Sequence, residues 1–233
     1  MGSLAARRMI SWRTALKLGR VSNLPTVWSN VIAGTTLAGG ASWSIVAVLA
    51  GAMSALYVGG MYLNDAFDRT IDAAERPSRP IPSGEASAQT VFAIGFGLLV
   101  LGVVVLAMFG WQAGVAGLAL GAAIVLYNWH HKGNPLGPFI MGLCRALVYV
   151  GAAAALGAAL AGPVLIGAAI LLSYVAGLTL ASKRGLGNIG LMIAGISLLD
   201  AAMAASMGAS VAALVCCAMF GLTLLFQRSI PGT

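Results

Sequence analysis

NDAFDRTIDAAERPSRPIPSG, residues 64–84, is the stretch on which the rest of the chain turns. Asp65, Asp68, Asp72 and Glu75 lie in it and Glu85 directly follows, so five of the six acidic residues gather here; only Asp200 lies elsewhere. In a chain that is 60% hydrophobic and 8% charged, a bland polar loop between two apolar helices does not account for such clustering. Asn64, Asp68 and Asp72 are four apart and Asp65 is three before Asp68. On a helix, residues three and four apart share a face, so the spacing stacks three or four oxygen donors along one stripe. Oxygen-only ligands suit a hard cation, and Mg²⁺ takes a few carboxylates together with substrate phosphates.

A mean hydropathy of +0.95, with 31 glycines, describes an integral membrane protein, because soluble helices need a charged face that most of these segments lack. The net charge of +7 is read as membrane topology, with no nucleic acid as partner. Cys144, Cys216 and Cys217 fall in apolar stretches and imply packing, with neither disulfide nor zinc framework. No leader peptide is evident. Residues 1–19 form an interfacial segment in which Arg7, Arg8, Arg13 and Lys17 alternate with Leu4, Ile10, Trp12 and Leu16.

Apolar spans of bilayer length are predicted near 21–40, 43–65, 88–109, 111–129, 137–159, 162–182, 188–207 and 209–227. The expected fold is all-α: a polytopic membrane bundle of about eight helices around a central cavity, one domain over 1–233. The connections near Gly40, Gly110, Gly162 and Gly208 carry no Lys or Arg, whereas the alternate ones carry Arg69, Arg76, Arg79, Lys132, Lys183 and Arg184. The positive-inside rule then puts both termini and the polar residues on the cytoplasmic side.

The residues that bear chemistry collect at that side. Arg20 and Asn23 open the first span, Tyr127 and Lys132 follow the fourth, and Lys183 and Arg184 close the sixth. Arg145 lies about 12 Å into the fifth span by helical rise. A charge there is costly and faces a cavity or a counter-ion. Cations ringed about an acidic, metal-capable helix point to a diphosphate site. Asp200 stands apart, in the outer half of its span, with no partner assigned.

Asn64-Asp65-x-x-Asp68-x-x-x-Asp72, followed by Arg79-Pro80 and a small-residue turn, resembles the first aspartate-rich motif of the UbiA superfamily of intramembrane prenyltransferases. Arg20-x-x-Asn-x-Pro, and Tyr127 with Lys132, are similar to that family in kind and order. RVSNLPTVWSN (20–30) also resembles a divergent branch that includes eboC-type members. The resemblance implies a helical bundle with a cavity open to the bilayer, Mg²⁺ as cofactor, an isoprenyl diphosphate as donor and an aromatic or other lipophilic acceptor. Carried over by position, Asn64, Asp68 and Asp72 would be the catalytic, metal-holding residues. Arg79 and Lys132 would bind diphosphate and Arg20 would line the cavity; Asn23, Asp65, Tyr127, Arg145, Lys183 and Arg184 complete the expected substrate site. The chain departs from the family in one motif: where a second Asp-x-x-x-Asp is expected, it has YVAGLTLASKRG (174–185), with no acid. Lys183 and Arg184 are then expected to neutralise phosphate in place of a second metal. Terpene cyclisation and non-catalytic isoprenoid binding are the alternatives. A CDP-alcohol phosphotransferase would need a DG-x-x-AR segment that is absent, and a transporter would show inverted repeats or broken helices.

Overall fold

The computed structural model describes residues 10–130, 134–230 and 232. Lys132 lies outside them, as do residues 1–9 of the interfacial segment. Nine α-helices follow in order among the described residues: α1 Trp12–Leu18, α2 Leu24–Leu37, α3 Trp43–Glu75, α4 Ala88–Ala107, α5 Trp111–His130, α6 Gly137–Ala154, α7 Gly162–Lys183, α8 Ile189–Ser206 and α9 Ser210–Gln227. Seven of them, α3 to α9, are long and apolar enough to cross a membrane, and the protein is an integral, multi-pass membrane protein.

Local chemistry sets the ends. Ser42, Ser87 and Asn188 cap α3, α4 and α8 by accepting from the backbone N–H three residues on, which satisfies a donor the helix cannot. Pro25, Pro138 and Pro163 stand in first turns, where a missing N–H costs nothing. Gly110, at φ 123°, makes the tight reversal between α4 and α5, a conformation that a side chain disfavours.

α6, expected to run to 159, ends at Ala154, and two helices differ from the expected spans in ways that shape the site. The first, expected over 21–40, is a 3₁₀ turn Val21–Asn23 followed by α2, which has only 14 residues. Arg20 in the left-handed region and Gly39 and Gly40 at positive φ bound it. Short as it is, α2 is the hub of the bundle, touching α3, α6, α7, α8 and α9, and it carries buried Thr26, Ser29 and Asn30 into the interior. The second span, expected to end at 65, runs on to Glu75 as a helix of 33 residues. That is roughly 50 Å, well beyond a bilayer core of about 30 Å, so the whole acidic stripe up to Glu75 is helical.

Glycines let helices meet backbone to backbone, as the small-residue richness implied. A Cβ on Gly142 of α6 would lie 2.5 Å from the carbonyl oxygen of Leu172 on α7. Outward faces are apolar; Val104, Leu118, Ile166 and Leu214 are exposed, as lipid contact requires. Gly142→Ala is expected to cost about 1–3 kcal/mol by overpacking and to lower the melting temperature in detergent. Gly97→Ala on α4, where a Cβ meets nothing within 4 Å, should leave it unchanged or raise it.

Candidate functional site

One face of α3 builds the site. Met53, Leu56, Tyr57, Gly60, Met61, Asn64 and Asp68 recur at three- and four-residue steps and line a cavity of about 910 Å³. This lies within the roughly 300–1,000 Å³ of small-molecule sites. Its deeper walls are apolar, with Leu120 and Ile124 of α5, Val148 of α6 and Ile196 of α8. Its polar end is ringed by Arg20, Asn23, Arg76, Arg79, Tyr127, Asn134 and Lys183.

The oxygen stripe divides in two. Each four-residue step advances 400° around a helix, so Asp72 is turned about 80° from Asn64 but only about 20° from Asp65. Asn64 and Asp68 therefore line the cavity, whereas Asp65 and Asp72 do not. Those two are instead joined by Arg79, whose NH1 donates to Asp65 Oδ1 at 2.9 Å and to Asp72 Oδ2 at 3.1 Å. The expected stack of three metal-holding residues thus becomes two at the cavity and one behind it. Among the described residues no group of three or more carboxylates, histidines or cysteines converges at metal spacing.

Arg20 completes the clamp. Its NH2 donates to Asn64 Oδ1 at 3.0 Å and to Asp65 Oδ1 at 3.2 Å. To reach them its backbone sits at φ 42°, ψ 47°, at a cost of about 1–3 kcal/mol that surrounding contacts must offset. Asn64 Nδ2 donates to Asn128 Oδ1 at 3.2 Å, and Asn128 Nδ2 donates to the Gly60 carbonyl at 3.0 Å. This chain of amides turns the Asn64 oxygen toward Arg20 and the cavity.

Lys183 and Tyr127 reach the cavity, and Lys183 Nζ donates to the Asn134 carbonyl at 3.2 Å. Arg184 does not reach it. It is the exposed residue just past α7, and one residue around a helix is a turn of about 100°, away from the Lys183 face. Asn23 lines the cavity with its amide engaged, donating to the Gly232 carbonyl and accepting from Gln227 Nε2. Arg145 is present deeper in the wall. Arg76 and Tyr57 belong to the site without having been expected there. Tyr57 lies seven residues before Asn64, on the stripe the acids already define, and that periodicity was the signal for it.

The model of the UbiA prenyltransferase family matches residues 22–229. The chain belongs to that family. It is 34% identical over 53% of its length to the digeranylgeranylglyceryl phosphate synthase of Methanopyrus kandleri, covering 46% of that protein. To the synthase of the same name from Haloquadratum walsbyi it is 30% identical over 62% of its length and 52% of the relative's. The chain thus spans about half the length of the relatives it matches. Among solved structures, it superposes with a TM-score of 0.61 at 20% identity on one described as giving insight into digeranylgeranylglyceryl phosphate synthase in membranes, covering 92% of this chain and 96% of that one. A UbiA homologue from Archaeoglobus fulgidus superposes with a TM-score of 0.57 at 14% identity, covering 93% and 86%. These likenesses confirm the UbiA fold.

Arg79→Gln should remove the guanidinium that Asp65 shares with buried Asp72. Its expected cost is about 3 kcal/mol, the lower end for breaking a buried pair because Arg79 is partly exposed. Adding Asp72→Asn to that variant should recover part of the loss in detergent melting, and a double-mutant cycle measures the coupling.

Proposed function

We propose that the protein transfers an isoprenyl group from an isoprenyl diphosphate to a lipophilic acceptor within the membrane. The observation that carries this is the cavity itself: apolar walls that suit an isoprenyl chain, closed at one end by Arg20, Arg76, Arg79 and Lys183 around Asn64 and Asp68. Family membership and relatives named as digeranylgeranylglyceryl phosphate synthases support the same reading and favour an acceptor built on glyceryl phosphate over an aromatic one. The positive-inside pattern supports a cytoplasmic location for the cationic end and for both termini.

The donor set fits Mg²⁺. Asn64 and Asp68 offer oxygen donors one helical turn apart at the cavity edge, and Asp72 Oδ1 behind them is buried without a hydrogen-bond partner. Asn64 and Asp68 would hold the ion, with Asp72 as the reserve acceptor. When bound, it would withdraw charge from the diphosphate oxygens as a Lewis acid. Arg20, Arg76 and Arg79 neutralise the leaving diphosphate from one side, and Lys183 does so from α7. The allylic C–O bond breaks with its electron pair leaving on the diphosphate. The carbocation that remains is held among Leu56, Leu120, Ile124 and Val148, away from water, until an acceptor nucleophile forms the new bond and loses its proton. With no second acidic motif in the chain, Lys183 at the cavity would supply by its fixed charge the phosphate neutralisation that a second metal would give.

The deciding experiment supplies purified protein with geranyl, farnesyl and geranylgeranyl diphosphates, with and without Mg²⁺, beside a panel of glyceryl phosphate and aromatic acceptors. Pyrophosphate release with a prenylated product, lost in Asp68→Ala, supports transfer. Release with no acceptor consumed would mean cyclisation, and binding without release would mean a non-catalytic carrier. Lys183→Ala should lower turnover about 10²-fold, the scale of a lost electrostatic stabiliser. Arg184→Ala, outside the cavity, should stay within about twofold of wild type, a change of under about 0.5 kcal/mol.

A further inference from the structure

Arg145 is a cation in the wall of the cavity with no job in the diphosphate cluster. Its guanidinium stacks over Tyr57, 5.4 Å from the ring centroid. Tyr57 precedes Asn64 by seven residues, so Arg145 lies about 10 Å deeper along α3 than the Asn64 amide. Among the described residues no ion pair joins it to a carboxylate. It is held by neutral oxygens alone: NH1 donates to Asn30 Oδ1 at 2.9 Å and NH2 to Thr26 Oγ1 at 3.1 Å. A membrane-buried charge left this way is expensive.

The chain goes to some length to hold it there. Asp200, wholly buried on α8, accepts from Asn30 Nδ2 with both carboxylate oxygens at 2.9 and 3.0 Å, from Tyr149 Oη at 2.6 Å and from Ser29 Oγ at 2.5 Å. Because the carboxylate only accepts, the Asn30 N–H₂ end must face it. The Asn30 oxygen must then face Arg145. Asp200 thereby fixes the guanidinium through one amide without neutralising it by contact. If Arg145 only needed a counter-ion, a direct pair would be the simpler arrangement.

We propose that Arg145 is a second anion site of the cavity, separate from the diphosphate cluster, which docks the anionic head group of the acceptor, a phosphate monoester or a carboxylate. Asp200 is its positioning residue, acting through Asn30. This rests on the prenyl-transfer reading for the word acceptor; the site itself rests on the geometry. Selection follows from it: an amphiphile with a charged head is held by Arg145 while its tail lies along the apolar wall. A neutral analogue leaves the guanidinium buried and uncompensated.

The test measures binding, so it does not need turnover. Full-length protein in nanodiscs is saturated with Mg²⁺ and inorganic pyrophosphate to occupy the diphosphate cluster. It is then titrated with hexadecylglycerol phosphate, palmitate and neutral hexadecylglycerol. Wild type should bind at least one anionic amphiphile about tenfold to a hundredfold more tightly than the neutral one, the range of a charge-assisted hydrogen bond; whichever is preferred identifies the head group as phosphate or carboxylate. Arg145→Gln should abolish that preference while binding hexadecylglycerol as before, and Arg145→Lys should keep part of it. Asp200→Asn frees Asn30 to turn its N–H₂ toward Arg145 and should reduce the preference without changing neutral binding, which a merely structural role would not do. Lys183→Ala should weaken pyrophosphate and leave the preference intact. An anion preference that survives Arg145→Gln, or one that follows Lys183 instead, overturns the proposal. Failure of the prenyl-transfer reading appears separately, as no pyrophosphate release with the preference still present.

Discussion

A guanidinium shared between two carboxylates organises the polar end of this bundle. Arg79 bridges Asp65 and Asp72, and Arg20 bridges Asp65 and Asn64. Without those cations the acidic end of α3 would hold buried charges without partners, a situation worth several kcal/mol of penalty. With them, α3 stays helical for three further turns, the segment after Glu75 is drawn back over its end, and Arg20 is held in a backbone conformation it would not otherwise adopt. The pairing also sorts the acids. It ties Asp65 Oδ1 and Asp72 Oδ2 to Arg79 and leaves the Asn64–Asp68 stripe facing the cavity. A motif that reads as one row of ligands is in three dimensions two rows with different work.

The second network obeys the same rule in a different way. Asp200 and Arg145 are both buried in the bundle, yet they meet only through Asn30. Both networks depend on α2 and the turn before it, which supply Arg20, Thr26, Ser29 and Asn30. This explains why the shortest of the central helices is also the most enclosed: 11 of its 14 residues are buried. The cavity is bounded by these two charged systems, one at its mouth and one deeper, with apolar walls between. That arrangement suits a molecule with an anion at one end and a hydrocarbon body, and it leaves room for a second anion beside the body.

The membrane character and seven of the helices were legible because a hydrophobic run of bilayer length has little use outside a membrane. The polar end of the cavity was legible because acids are rare in such a chain and their spacing is helical. Arg145 stood out because an intramembrane charge is costly. What stayed hidden was decided by tertiary pairing. The apolar run stops at residue 65 although the helical spacing of the acids continues, and the Arg79 bridge across seven residues helps keep α3 one unbroken helix to Glu75. The turn of Asp72 away from Asn64 follows from 3.6 residues per turn, which a four-residue repeat conceals. Asp200 had no visible partner because its partners are 51 to 171 residues away. Arg184 was misplaced because two adjacent cations were treated as one unit, although neighbouring positions on a helix point in different directions.

The most direct measurement is a structure of the protein with Mg²⁺ and a geranylgeranyl thiolodiphosphate, which binds like the donor but resists ionisation. The diphosphate is expected between Arg20, Arg79 and Lys183, with Mg²⁺ on Asn64 and Asp68 and the hydrocarbon along Leu120, Ile124 and Val148. A diphosphate found outside that ring, or a metal held without Asp68, would contradict the account.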